Sequence, residues 1–499
     1  MSEKASKGIW KVISASSMGT MIEWYDFYIF GSLAVVISTK FFPSDNPTAA
    51  FLSTLATFAA GFVVRPFGAL FFGRLGDLIG RKYTFMSTLL LMGGATFAIG
   101  CVPSYETIGY LAPILVLILR LLQGLALGGE YGGAATYVAE HAPKGQRGYW
   151  TSWIQTTATV GLLISLLVIL TTRNLLSPQQ FDDWGWRIPF LISVLMVLVS
   201  YLIRKKMDES PEFAKAKAEG KTSKNPLKES FGNSYNLKFV LLALFGATMG
   251  QGVVWYTGQF YAMNFMKTVL NIDSSQVDTL LGIALLLGTP FFVLFGWLSD
   301  KIGRKSIMMT GLLLAIFLYR PIYKSMYESV DVNNKQLVKT FSENELDSTK
   351  NLSYQITTNE YSDKTISKIV ITSNHSKLGP KLETKTTLNI NNHDKWWLVF
   401  LVFIQVLFVT MVYGPIAAFL VEMFPTKIRY TSMSLPYHVG NGIFGGLLPA
   451  ISTYFVSTAK ENGNPTFYLE GLWYPIIIAS VCFVIGMVYL KWENETLND

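Results

Sequence analysis

The sequence predicts an all-α membrane protein with twelve transmembrane helices arranged as two six-helix repeats. Composition, a series of apolar runs and a pair of loop motifs recurring at half-chain spacing carry that reading. Of the 499 residues, 51% are hydrophobic and 15% charged, and the mean hydropathy is +0.35. Soluble domains carry about 25% charged residues, so this composition fits a chain dissolved in lipid. The net charge of +8 does not indicate nucleic acid as a partner. The basic residues sit in short loops between apolar runs, not on one face of a compact domain. The 14% aromatic content suits a chain whose Trp and Tyr side chains anchor at both faces of a bilayer.

A membrane span needs about 20 mostly apolar residues. Twelve runs qualify: 13–39, 50–73, 84–102, 111–139, 149–172, 186–203, 238–266, 277–298, 306–325, 396–423, 432–457 and 472–491. The first is too long for the core of a signal peptide and contains Glu23 and Asp26, so it reads as a retained helix. Lysine and arginine in the short loops set the orientation. Arg74, Arg81 and Lys82 follow run 2, Lys144 and Arg147 follow run 4, and residues 204–237 are rich in lysine. Lys301, Arg304 and Lys305 follow run 8, and Lys427 and Arg429 follow run 10. The opposite loops offer little more than Lys40, Arg173 and Lys460. Both termini are therefore expected in the cytoplasm, with the chain spanning an inner (plasma) membrane.

The two halves repeat. The stretch from Gly73 through Asp77, Gly80, Arg81 and Lys82 returns from Gly296 through Asp300, Gly303, Arg304 and Lys305. A second pattern, Glu140 with Pro143 and Arg147, returns as Glu422 with Pro425 and Arg429. The first pair is offset by 303 − 80 = 223 positions and the second by 422 − 140 = 282, so the second half gains 282 − 223 = 59 between its markers. The expected organisation is an N-terminal half (1–203), a cytoplasmic basic linker (204–237) and a C-terminal half (238–499) with a periplasmic insertion at 326–395. Alternating segments such as Thr365–Ile371 read as strands of a small β-rich subdomain between helices 9 and 10. A disordered polar loop is the other reading.

These residues resemble the major facilitator superfamily, whose cytoplasmic loop motif the two Gly-x-x-x-Asp-x-x-Gly-Arg-Lys stretches match. The chain is more particularly similar to its metabolite:proton symporter family of proline/betaine, α-ketoglutarate and shikimate carriers. The stretches that carry the likeness are Glu23-Trp24-Tyr25-Asp26-Phe27, Arg65-Pro66-Phe67-Gly68, Gln123–Gly132, Trp184–Phe190 and Met423–Arg429. The insertion departs from the family pattern. The resemblance implies the twelve-helix facilitator fold, alternating access, and a proton gradient rather than a cofactor as energy source.

Ionisable groups within the membrane are expensive, and they face a cavity or one another. Glu23 and Asp26, three residues apart, share a helix face, and Glu23 lies ~15 Å along the first helix. Arg120 lies ~14 Å along helix 4, which lines the central cavity in the resembled fold. Burial disfavours a charged carboxylate and a neighbouring guanidinium favours it. A substrate carboxylate that took over Arg120 would thus free an acid to hold a proton; a structural salt bridge is the plainer alternative. Arg65 and Glu130 fall nearer the cytoplasm; for either, bridging helices 2 and 4 ranks slightly ahead of a part in the substrate and proton site, where both are candidates.

Asp77 with Arg81 and Asp300 with Arg304 are assigned to gating, together with Glu140, Arg147, Glu422 and Arg429. Helix 7 offers Trp255, Tyr256 and Gln259 beside Gln251, Tyr261 and Asn264. Aromatic rings there could hold a quaternary ammonium, although a stripe of this kind is more often packing. α-Ketoglutarate carriers of the resembled family place a lysine at the position of Asn264, which counts against a dicarboxylate. Gly440–Gly445 matches GxGxxG but lies in an apolar run with no preceding strand, so it reads as helix packing and not as a nucleotide loop. His438 reads as a satisfied core histidine.

Cys101 and Cys482 are the only cysteines, and no metal-ligand, disulfide or nucleophile–base pattern accompanies them. No residue is assigned a catalytic or metal-binding role. The expected function is proton-coupled symport of a small carboxylate-bearing metabolite by a monomeric unit in the lipid bilayer. The substrate is either a zwitterion such as proline or betaine, or an organic acid such as α-ketoglutarate. The rival reading is a transporter-like receptor that uses the insertion to bind a ligand or partner.

Overall fold

In hydrocarbon every backbone amide must be satisfied within its own segment, which leaves the helix as the local solution for a single span. The computed structural model describes residues 3–42, 53–54, 56–57, 60–347, 352–376 and 379–490. Helix α1 (Glu3–Ser32) carries the two acids and resumes after Leu33 as Ala34–Phe41. Helix α2 is described over Arg65–Ile79, and its expected beginning near residue 50 lies outside the described residues. Ten further helices are long and apolar enough to cross a membrane: α3 (Arg81–Cys101), α4 (Leu111–His141), α5 (Arg147–Leu175), α6 (Gly185–Lys205), α7 (Ser234–Thr268), α8 (Ser274–Ile302), α9 (Arg304–Val330), α10 (Asn392–Met423), α11 (Arg429–Glu461) and α12 (Phe467–Tyr489). They match the third to twelfth apolar runs one for one. The linker is not extended, for it folds into short helices at Pro211–Ala218 and Pro226–Phe231.

The repeated loop motif has a backbone reason. Gly80 and Gly303 join α2 to α3 and α8 to α9 with φ of 125° and 92°, a region that side chains disfavour. Among the described residues three π-helical turns interrupt the regular pattern, at Leu244–Thr248 and Thr257–Tyr261 in α7 and at Gly440–Gly445 in α11. Such turns recur at functional positions. The GxGxxG stretch is thus a helix contact, because a Cβ on Gly440 would meet the Thr248 carbonyl carbon of α7 at 2.6 Å.

The insertion is a four-stranded antiparallel meander, in the order β1 (Leu337–Asp347), β2 (Leu352–Tyr361), β3 (Ile366–Ser376) and β4 (Gly379–Asn389). Its expected limits of 326 and 395 are too wide, since α9 runs through Val330 and α10 begins at Asn392. The tips at 348–351 and 377–378 lie outside the described residues. The base of the sheet is stitched to the α7–α8 connection. Leu388 donates its amide to the Asn271 carbonyl at 2.7 Å, and Asp273 donates to the Leu388 carbonyl at 2.8 Å. The Gln276 side-chain carbonyl accepts from the Ile390 amide at 3.0 Å.

A polar knot closes the base. The Lys335 ammonium donates to Asp363 at 2.6 Å and to Asp394, and the Asn391 amide donates to the same two carboxylates at 2.7 and 2.9 Å. Burial opposes ionisation of Asp363, but hydrogen bonds from Lys335 and Thr365 outweigh it and hold the carboxyl at about 2, below its ordinary 3.8. A depressed acid stabilises the fold above its ordinary range and loses that contribution as the pH falls. Docking of the insertion is therefore expected to be full above pH ~4 and to weaken as the pH falls toward ~2. Hydrogen exchange checks the contribution of Lys335 to the knot: the Leu388 and Asp273 amides should exchange roughly tenfold faster in Lys335→Ala at neutral pH, about 1.4 kcal/mol.

Candidate substrate and proton site

An acid within a helical bundle persists only with a partner, and α1 gives Glu23 and Asp26 different ones. The Glu23 carboxylate lies 3.7 Å from the Arg65 guanidinium of α2, which stands 4.4 Å over the Phe62 ring. Asp26 turns to α3 and accepts the Thr96 hydroxyl hydrogen at Oδ2. The Thr96 oxygen accepts from Gln123 Nε2 of α4 at 2.6 Å, and Gln123 Oε1 accepts from Arg120 at 2.8 Å. The expected pair of acids facing Arg120 thus resolves into two units: a direct one to Arg65, and a relayed one to Arg120 through Thr96 and Gln123.

The expectation that Arg65 or Glu130 bridges α2 to α4 is corrected. Glu130 pairs with Arg204 of α6 and accepts from the Thr88 hydroxyl of α3 at 2.8 Å. Helices α2 and α4 meet instead by their backbones: a Cβ on Gly128 would lie 2.5 Å from the Ala69 amide nitrogen and 2.8 Å from the Gly68 carbonyl carbon.

Aromatic rings wall the acids from the second half. Trp255 of α7 packs on Trp24 of α1 with centroids 4.9 Å apart, and Tyr256 and Phe260 follow at 4.9 and 5.5 Å from Trp255. Gln259 is buried on the same helix. Tyr131 of α4 stacks on Tyr437 of α11 at 3.7 Å, and the Tyr437 hydroxyl is 2.6 Å from that of Tyr413. Asn264 donates to Thr453 at 3.2 Å. Asp26 Oδ1, Trp255 Nε1 and His438 Nε2 are buried without a hydrogen-bond partner among the described residues. His438 is therefore not the fully satisfied core histidine that the sequence led one to expect.

The predicted gating residues gather at one end of the bundle, where the halves are held together. Asp77 accepts the Tyr430 and Thr431 amides, at the start of α11, at 3.3 and 2.8 Å. Asp300 accepts the Gly148 and Tyr149 amides, at the start of α5, at 2.9 and 2.8 Å. Each aspartate so caps a helix N-terminus of the other half, where free amides and the helix dipole favour a negative charge. Arg81 lies 3.0 Å from Asp77 and 3.5 Å from Glu140, Arg304 joins Asp300 and Glu422, and Arg429 reaches Glu140 at 2.9 Å. Arg147 does not pair with Glu140. Its partner is Glu212 of the linker, which also takes Arg429. Glu209 accepts the Arg81 amide at 3.0 Å. These two linker acids escape sequence reasoning because their surroundings are dominated by lysine.

The family described as "Sugar (and other) transporter" matches residues 11–238. The alpha-ketoglutarate permease of Escherichia coli (strain K12) is 30% identical over 490 residues, which cover 98% of this chain and 95% of that protein. The chain belongs to the major facilitator superfamily. Other relatives of this facilitator are the proline/betaine transporter of Escherichia coli (strain K12), 27% identical with 98% and 84% covered, and the citrate-proton symporter of Klebsiella pneumoniae, 29% identical with 95% and 89% covered. The structure of the proton:xylose symporter XylE shares the fold, with a TM-score of 0.71 at 15% identity over 97% of this chain and 96% of that one. This facilitator is a multi-pass membrane transporter.

Removing one capping charge tests the closed end. Asp77→Asn should shift the balance toward an open end by about 1 kcal/mol, a roughly fivefold change. Distances between spin labels at positions 82 and 427 should show a new long-separation population.

Proposed function

We propose that this facilitator couples entry of a small carboxylate-bearing metabolite to entry of a proton across a bacterial inner membrane. Lysine and arginine bias in the short loops supports cytoplasmic termini, linker and gating loops, so the closed end faces the cytoplasm. The observation that carries the reading is the α1 pair, in which two buried acids each engage an arginine beside rings and orphaned polar atoms from the other half. In the proposed cycle Asp26 and Glu23 take up the proton, and Arg65 and Arg120 receive the substrate carboxylate that replaces the lost negative charge. Release of Asp77, Asp300 and their arginine partners then opens the cytoplasmic end, the alternating access of parallel repeats.

The rings of Trp24, Trp255, Tyr256 and Phe260 favour a zwitterion with an apolar or methylated ammonium, whose cation would rest on π faces. An organic acid is the second reading, favoured by the full-length likeness to an alpha-ketoglutarate permease. The transport unit is read as a monomer in the bilayer.

Reconstitution into proteoliposomes tests this with glycine betaine, proline, α-ketoglutarate and citrate as probes. A pH gradient, acid outside, should drive accumulation of at least one of them. Glu23→Gln and Asp26→Asn should abolish that accumulation. Arg65→Lys, which keeps the charge but loses the planar fork, should weaken apparent affinity roughly tenfold. Normal gradient-driven accumulation by both acid variants would overturn the assignment.

A further inference from the structure

We infer that Thr96 of α3 is the positioning residue that links the protonation of Asp26 to the availability of Arg120, by reversing the direction of one hydrogen bond. The inference rests on the reading that Asp26 carries the coupled proton. Its basis is donor and acceptor arithmetic along a chain of four buried side chains, Arg120, Gln123, Thr96 and Asp26.

The direction of the chain is fixed from the arginine end. A guanidinium only donates, so the Gln123 atom 2.8 Å from Arg120 is the carbonyl oxygen, and the amide nitrogen must face Thr96 at 2.6 Å. Thr96 therefore spends one oxygen lone pair on Gln123, and its single hydrogen has two acceptors within reach. One is Asp26 Oδ2; the other is the Met92 carbonyl one turn back at 3.0 Å. With Asp26 ionised the hydrogen belongs on the carboxylate, since a charged acceptor makes the stronger bond. The charged neighbours acting on Asp26 are Arg120 of α4 and Glu23 of α1 itself, the latter beside Arg65 of α2. Thr96 is the polar neighbour from α3.

A proton arriving at Asp26 has two oxygens to choose from. On Oδ1, which has no partner among the described residues, it would be a buried donor with nothing to bind, a costly arrangement. On Oδ2 it can donate to the second lone pair of Thr96, provided that the Thr96 hydrogen turns to Met92. Every hydrogen bond of the chain is then kept, one of them reversed. Before the proton arrives, the chain runs from cation to anion and Arg120 is compensated through it. Afterwards it ends on a neutral acid, so the charge of Arg120 is no longer balanced through the chain, which favours a carboxylate from the substrate. Proton binding thus precedes and prepares carboxylate binding. The device uses only a rotation of the Thr96 hydroxyl, and the positive charge that the proton leaves uncompensated is the one the substrate carboxylate balances.

The proton is itself the first probe. Infrared difference spectra of the reconstituted protein between alkaline and acid pH should show the carbonyl band of a protonated buried carboxyl, absent in Asp26→Asn. In Thr96→Val the band should move to higher frequency, because the acid has lost its acceptor, and in Thr96→Ser it should return. Transport supplies the second readout, with proline or α-ketoglutarate as probe, whichever the wild type accumulates. Gradient-driven accumulation, divided by exchange at equal pH, should fall at least tenfold in Thr96→Val and in Gln123→Leu and recover in Thr96→Ser. If Asp26→Asn abolishes both band and coupling while Thr96→Val alters neither, the relay is wrong and the proton site stands. If Asp26→Asn leaves both intact, the proton site itself is wrong.

Discussion

A charge placed inside a helical bundle cannot be left alone, and most of the first half is arranged around that constraint. Glu23 is joined to Arg65, Asp26 to Arg120 through two neutral side chains, and Glu130 to Arg204. These links tie α1 to α2, α3 and α4, and α4 to α6. The Glu130–Arg204 pair lies so close against Gly19 that a Cβ there would overlap both side chains, so α1 packs by its backbone on a fully desolvated ion pair. Removing one member of such a pair strands the other charge at a cost of several kcal/mol. Glu130 and Arg204 therefore read as the fixed frame. The Glu23–Arg65 contact, at 3.7 Å, is looser, and Asp26 reaches its arginine only through Thr96 and Gln123.

The same electrostatics appear at the closed end with a different partner, the backbone amide. Asp77 and Asp300 each cap a helix of the opposite half, so the repeat seen in the sequence becomes a pair of reciprocal clasps. The linker breaks this symmetry. Glu212 takes Arg147 and Arg429 at once, and Glu209 receives the first amide of α3. The segment between the halves therefore belongs to the clasp and is not a passive tether, and opening that end must release it too.

The elements legible in the sequence are those written in local periodicity. The apolar runs located the third to twelfth helices, the repeated motif located the clasps, and alternation over Thr365–Ile371 located β3. What depends on how helices rotate against one another was not legible. Nothing local distinguishes Arg120 from Arg65 as the neighbour of Glu23. Arg204 looks like the end of a basic run beside Lys205 and Lys206, and Thr96 is one of several threonines in α3. Gln123 did leave a signal, standing three residues after Arg120 on the same helix face. The π-turns of α7 and α11 and the stitching of Leu388 to Asn271 come from tertiary packing, which a single sequence does not display.

Joint crossing of a proton and a small carboxylate through the α1 acids is the proposal on which the transport cycle rests. It is tested most directly by proton movement in proteoliposomes that hold a pH-sensitive dye and start with equal pH on both sides. Adding proline or α-ketoglutarate outside should acidify the interior in step with uptake of the probe, and Asp26→Asn should remove the acidification. Uptake of a probe by the wild-type protein with no accompanying proton movement would contradict the account.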